Sequence, residues 1–99
     1  MREDIAAIAH IIAPIAKQYG VERVALFGSR ARGDAREDSD YDFLITKGQI
    51  KSLFTLASLL TDLEEALHGP VDLVTDVSLD SEFADRIRSD EELLYERER

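Results

Sequence analysis

Three short runs of β-forming residues, Val21–Phe27, Tyr41–Ile45 and Val71–Thr75, interrupt a chain whose other apolar residues recur at intervals of three and four. Short apolar runs bounded by glycine, proline or charged residues read as strands, and the three-four spacing reads as amphipathic helix. A small sheet cannot bury its own face, and a helix with one apolar stripe needs a surface to cover. The interleaving of the two therefore restricts the chain to an α/β fold, a small sheet with helices packed on it.

The first helix is expected from about Glu3 to Tyr19, with Ile5, Ile8, Ile11, Ile12, Ile15, Ala16 and Tyr19 on its repeating positions and Gly20 as its stop. Pro14 lacks an amide hydrogen and crowds the preceding turn, so the helix is expected to kink there or to restart after Ala13. Gly28 to Ser39 reads as loop with one helical turn. A second helix follows Lys47-Gly48, carrying Ile50, Leu53, Phe54, Leu56, Ala57, Leu60, Leu63 and Leu67, and stops at Gly69-Pro70. Beyond the third strand, Ser78 or Asp80 is expected to cap a last helix with Phe83, Ile87, Leu93 and Leu94, frayed over Glu96 to Arg99.

With 99 residues, 44% of them hydrophobic, the chain supports one domain, 1–99, and one core. At this size roughly two-thirds of the unfolded surface is buried, which leaves little chain for a separate substrate-binding module. There is no cysteine and the two histidines lie far apart, which excludes thiolate chemistry and argues against zinc. The acidic start and the absence of a long apolar run point to a cytoplasmic protein without signal peptide or membrane span. A formal net charge of -9 repels a polyanion, so direct nucleic-acid binding is not expected. A magnesium-bound nucleotide escapes that objection, because the metal neutralises phosphate charge and accepts carboxylate ligands.

The segment from Gly28 to Ile45 carries the chemistry. Gly28-Ser29 directly follows the first strand, where a glycine allows an unusual backbone conformation and close approach of main-chain N–H groups to a phosphate. Arg30, Arg32 and Arg36 set cationic donors beside that turn, Arg30 nearest. Asp40 and Asp42 stand two apart at the start of the second strand, so both carboxylates leave one face while Tyr41 and Phe43 leave the other. At about 4 Å their bare repulsion is ~1 kcal/mol in water and several-fold more at lower dielectric, so a cation between them is favoured. Asp72 sits inside the apolar run Val71-Asp72-Leu73-Val74, where an isolated charge is expected to be costly unless paired or metal-bound. If the third strand lies beside the second, Asp72 completes a site with Asp40 and Asp42. An all-oxygen set suits magnesium, and two ions so held clamp attacking and leaving oxygens.

Gly28-Ser29, a spacer of ten residues and Asp40-Tyr41-Asp42 resemble the signature of the DNA polymerase β-type nucleotidyltransferase superfamily, whose palm-like fold is a small mixed sheet flanked by helices. Arg30-Ala31-Arg32-Gly33 and Ser39 closely resemble its minimal nucleotidyltransferase (MNT) subgroup, often the antitoxin partner of a HEPN-domain ribonuclease toxin. The resemblance extends to the third-strand aspartate and to a short final helix ending in Leu94-Tyr95-Glu96. It implies transfer of AMP from ATP onto a tyrosine of the toxin. It also implies that Gly28, Ser29 and Arg30 hold the triphosphate and Asp40 and Asp42 two magnesium ions, with Asp72 ligating one and acting as general base.

Blander roles stand beside these. A lone Asp-x-Asp is usually a solvated turn, and the Gly-Ser spacing and Asp72 are what separate this one. Arg32 and Arg36 are equally suited to pairing with Glu37 and Asp38. His10 reads as a partly exposed packing residue, His68 as a helix-end charge or cap, Tyr41 as core and Tyr95 as packing or partner contact. Lys47 and Lys51 receive no role. The rival functions are a non-catalytic antitoxin that blocks its toxin by contact, and a transferase acting on a small molecule or an RNA end.

Overall fold

The computed structural model describes residues 3–75, 82, 85 and 89–98. Its elements in chain order are α1 (Glu3–Tyr19), β1 (Arg23–Phe27), α2 (Gly28–Arg32), β2 (Tyr41–Thr46), α3 (Leu53–Leu67), β3 (Val71–Thr75) and β4 (Glu92–Glu96). The strands form a mixed four-stranded sheet in the order β3-β2-β1-β4. β1 is antiparallel to β2 and β4, and β2 is parallel to β3. A parallel neighbour cannot be reached by a tight turn, so α3 serves as the crossover between β2 and β3.

Alternation along the strands sends Val24, Leu26, Phe43 and Ile45 to one face of the sheet. There they meet Ile5, Ile8, Ile12 and Ala16 of α1 and Leu59, Leu63 and Leu67 of α3 in one buried cluster. Burial of each such large side chain contributes about 1.5–3 kcal/mol, so this layer is what holds helices to sheet. The Tyr19 hydroxyl donates to Asp62 Oδ2 at 2.5 Å and ties the end of α1 to α3. On the other face a small cluster of Ala25 and Leu44, with Phe27 and Val74 against it, lies along the strands that carry the aspartates.

α1 runs through Pro14 as one helix, so the restart after Ala13 does not occur. Proline deprives the His10 carbonyl of its helical partner, but His10 and Pro14 are both exposed, where water can supply the bond. In α3 the Ser52 hydroxyl caps the helix by accepting from the Phe54 N–H at 3.0 Å. The buried stripe is Leu59, Leu63 and Leu67, whereas Leu53 and Phe54 are 83% and 88% exposed. The apolar pattern expected for this helix thus overstated its buried face at the N-terminal end.

His68 ends α3 in the left-handed conformation, φ 57°, with its N–H reaching the Glu64 carbonyl. A side chain held at such a φ costs about 1–2 kcal/mol, somewhat less for histidine than for bulkier residues. His68→Gly is therefore expected to raise stability by about 0.5–1 kcal/mol, readable as an upward shift of the urea midpoint at unchanged slope. A lowered midpoint would show that the imidazole makes a stabilising contact outweighing the strain.

The largest departure from expectation is at the C-terminal end. Leu93, Leu94 and Tyr95, expected in a last helix, lie in strand β4, and Glu96 belongs to that strand instead of a frayed helix end. The proposed caps Ser78 and Asp80, and Phe83 and Ile87, lie outside the described residues. Glu92 to Glu96 pair with the free edge of β1, with an irregularity at Val24/Ala25. The Arg97 N–H extends the pairing to the Glu22 carbonyl at 2.9 Å, and Arg23 Nη2 meets Glu91 Oε1 at 2.5 Å. Leu94 is buried in the main cluster and Tyr95 packs against it. An unpaired sheet edge overrides the helix preference of a Glu/Leu/Arg-rich segment, because strand preference is set by what the strand packs against. Among the described residues, no helix is long and apolar enough to cross a membrane.

Candidate active site

The register of the sheet assembles the site. Antiparallel pairing sets Phe27, the last residue of β1, opposite Asp42, and parallel pairing sets Asp42 opposite Asp72. Neighbouring strands are about 4.8 Å apart, so Asp42 and Asp72 leave the same face as adjacent side chains. That face is the one away from α1 and α3. Asp40 lies one residue before β2, at the end of the loop that follows α2.

Asp42 is half-buried, whereas Asp40 and Asp72 are exposed. The exposure of Asp72 removes the burial penalty expected from its apolar neighbours; what marks it is its place beside Asp42. The Asp42 carboxyl is held above the ordinary carboxylate range, first by burial and then by the charges of Asp72 and Asp40, while Arg32 and Arg30 pull it partly back. Among the described residues, no three acidic or imidazole groups are gathered tightly enough to hold a metal ion as they stand. The three aspartates are thus electrostatic neighbours, with Asp42 and Asp72 paired by the sheet itself.

Gly28 has φ +74°, and a Cβ built on it would lie 2.5 Å from Asp42 Oδ2. The Asp42 carboxylate occupies the space that any side chain at position 28 would take. Ser29 follows in α2, and its carbonyl accepts from the N–H groups of Gly33 and Asp34 at 3.0 and 3.1 Å, which closes the short helix. Gly33 ends it at φ 88°.

Each arginine of this segment has its own set of contacts. Nε and Nη2 of Arg30, the arginine assigned to the triphosphate by the resemblance, donate to the Ser39 carbonyl at 3.1 and 2.7 Å, and Nη2 also to the Glu37 carbonyl at 3.2 Å. Its guanidinium lies 3.9 Å over the ring of Tyr41, on the α1 and α3 side of the sheet end. Arg32 pairs with Asp34 at 3.3 Å and with Asp90 at 3.4 Å, not with Glu37 or Asp38. The Arg36 N–H donates to Ser39 Oγ at 2.8 Å. Asp90 was missed by sequence reasoning, and no local signal marks it, because the contact with Arg32 joins positions 58 residues apart. Tyr41 packs against the main cluster, as expected.

A mixed sheet that sets a glycine-serine turn against a strand aspartate, with a second strand aspartate beside it, defines a nucleotide-transfer domain. The sequence matches the family described as polymerase beta, nucleotidyltransferase, over residues 10–99. It is 42% identical over 84 residues to a candidate protein adenylyltransferase of Methanocaldococcus jannaschii, spanning 85% of this chain and 90% of that protein. It is 43% identical over 68 residues to the protein adenylyltransferase MntA of Thermococcus cleftensis, 69% of each chain. The fold matches an MNT antitoxin solved in complex with a tri-AMPylated HEPN toxin of Shewanella oneidensis, with a TM-score of 0.71 at 18% identity over 94% of this chain and 73% of that one. The chain belongs to the polymerase β-type nucleotidyltransferase family, and its substrate is accordingly a nucleotide.

Proposed function

We propose that this protein is a magnesium-dependent protein adenylyltransferase that moves AMP from ATP to a tyrosine of a partner HEPN-domain toxin and thereby silences it. The observation that carries the reading is the row formed by Gly28, Asp42 and Asp72 across three neighbouring strand ends in a nucleotidyltransferase. The names of the M. jannaschii and T. cleftensis relatives support a protein acceptor, and the S. oneidensis complex supports a HEPN toxin as that acceptor.

In the reaction the acceptor oxygen attacks the α-phosphorus of ATP, the bond from that phosphorus to the bridging oxygen breaks, and diphosphate leaves. The donor set is oxygen only, and the absent Cβ of Gly28 keeps the Asp42 carboxylate close to the glycine-serine turn. Such a set fits magnesium, which when bound would neutralise triphosphate charge and polarise the α-phosphate. Asp40 and Asp42 would hold the two ions, and Asp72 would ligate one of them. The Asp72 carboxylate takes the proton of the acceptor hydroxyl. The Ser29 hydroxyl and the main-chain N–H groups of the Gly28-Ser29 turn hold the triphosphate. Positioning and charge neutralisation do most of the work in transfer at phosphorus.

The test is the intact mass of the protein that co-purifies with this chain, before and after incubation with ATP and magnesium. A gain of one or more AMP units, absent with Asp42→Ala, is the expected result. An unchanged mass in a stable complex, with full protection from toxicity by the Asp40→Ala, Asp42→Ala double variant, would establish the contact-only antitoxin instead.

A further inference from the structure

The two peptide planes flanking Asp40 are both anchored, although the residue itself is exposed at the end of a loop. The downstream plane is held by the Tyr41 N–H, which donates to the Pro70 carbonyl at the entrance to β3, 3.0 Å away. The upstream plane, whose oxygen is the Ser39 carbonyl, is held by Nε and Nη2 of Arg30. The turn before it is closed by Ser39 N–H to the Arg36 carbonyl at 3.0 Å and by Arg36 N–H to Ser39 Oγ at 2.8 Å. Arg30 also lies over the ring of Tyr41, the residue between the two aspartates. Because Arg30 is in α2, one side chain links the helix carrying Ser29 to the backbone of Asp40.

We propose that Arg30 is a positioning residue for Asp40, setting that carboxylate through the Ser39 carbonyl and the Tyr41 ring. The inference rests on the reading of Asp40 as a metal-holding residue. Only a guanidinium meets the two demands together, a flat face for the ring and an Nε–Nη2 edge for a carbonyl; a lysine ammonium offers neither. The Nε–Nη2 edge, one of the two edges by which a guanidinium grips a phosphate in bidentate fashion, is spent on Ser39. Without Arg30 the plane before Asp40 loses its anchor at the end of an exposed loop, and a metal ligand held loosely binds its ion weakly. Residues that orient metal ligands typically contribute about 10–100-fold in metal affinity or activity.

The experiment measures manganese binding to the full chain by the EPR signal of free Mn2+, with AMP-PNP present, for wild type, Arg30→Ala, Arg30→Lys and Tyr41→Leu. Transfer kinetics with ATP and magnesium are measured alongside. The expected result is a loss of manganese affinity of about tenfold or more in Arg30→Ala, not rescued by Arg30→Lys, with a smaller loss in Tyr41→Leu. The KM for ATP at saturating magnesium should change little, while kcat falls. If Arg30→Ala does not fold, Arg30→Lys and Tyr41→Leu at unchanged melting temperature carry the test. Wild-type manganese affinity in Arg30→Lys, with a raised KM for ATP in Arg30→Ala, would overturn the proposal and make Arg30 a phosphate ligand. No manganese binding by wild type would overturn it as well. Tight manganese binding that is lost in the Arg30 variants, with no AMP transfer to any partner, would sink the proposed function and leave the role of Arg30 standing.

Discussion

Asp42→Asn is expected to fold, to melt higher than wild type in metal-free buffer at neutral pH, and to transfer AMP at least about a hundredfold to a thousandfold more slowly, as when a group that neutralises transition-state charge is removed. The gain in stability follows from the environment of this carboxyl. Burial and the charges of Asp72 and Asp40 disfavour its ionised form in the folded chain. The folded protein therefore keeps this proton at pH values where an unfolded carboxyl, with a pKa of about 3.9, has released it. Wild-type stability falls as pH rises from about 4 through the folded-state pKa, and the penalty is absent below about 4. The advantage of Asp42→Asn should accordingly be present at neutral pH and disappear on acidification. Magnesium reverses the comparison, because a ligand that binds only the folded state stabilises it. Wild type should gain melting temperature on adding magnesium and ATP analogue, and Asp42→Asn should not. Wild-type transfer by Asp42→Asn would remove the residue from the site. A pH-independent difference in melting temperature would show that its charge is not what the folded state resists.

Gly28→Ala tests the same carboxylate from the other side. The positive φ makes any L side chain cost about 1–2 kcal/mol, which for a domain of this size is a fall in melting temperature of roughly 4–8 °C per kcal/mol. The steric contact is of another kind, because the atom 2.5 Å from the new Cβ is the far end of the Asp42 side chain, which can rotate away. The strain thus appears in stability and the collision in activity. A misplacement of about 1 Å at a reacting centre can cost on the order of 100-fold, and that is the expected loss of transfer at a temperature where the variant is fully folded. The double variant Gly28→Ala, Asp42→Asn should transfer no more slowly than Asp42→Asn alone, since both changes act through one carboxylate. Independent, multiplying losses would instead place the role of Gly28 in the backbone turn, with no part played by its contact with Asp42.

The site divides between what local spacing can encode and what it cannot. Gly28-Ser29 and Asp40-Tyr41-Asp42 are legible because a glycine between strand and helix and an alternating pair of carboxylates are local patterns with physical causes. The pairing of Asp42 with Asp72 is only half legible. The sequence marks Asp72 as a charge in an apolar strand, but its meaning depends on β3 lying beside β2, because the side chain is exposed and carries no burial penalty. Arg30 is a plainer case. Next to Ser29 in sequence, it looks like a phosphate donor; in the fold its Nε and Nη2 donate to the Ser39 and Glu37 carbonyls and its flat surface lies over Tyr41.

The helical stripe of α1, the three strands β1, β2 and β3 and the alternation of Tyr41 and Asp42 across the sheet are set locally, because periodicity and the backbone limits of glycine and proline act within a few residues. The tertiary structure decided that Glu92–Glu96 is a strand, that Leu53 and Phe54 stay in solvent, and that Arg30 faces the loop. A segment rich in glutamate, leucine and arginine is a helix until an unpaired strand edge offers it a ladder, and that edge belongs to β1, whose paired residue Arg23 is 73 positions before Glu96. An apolar or charged side chain likewise specifies what it would bury or pair with, but only the folded chain supplies the surface or the partner.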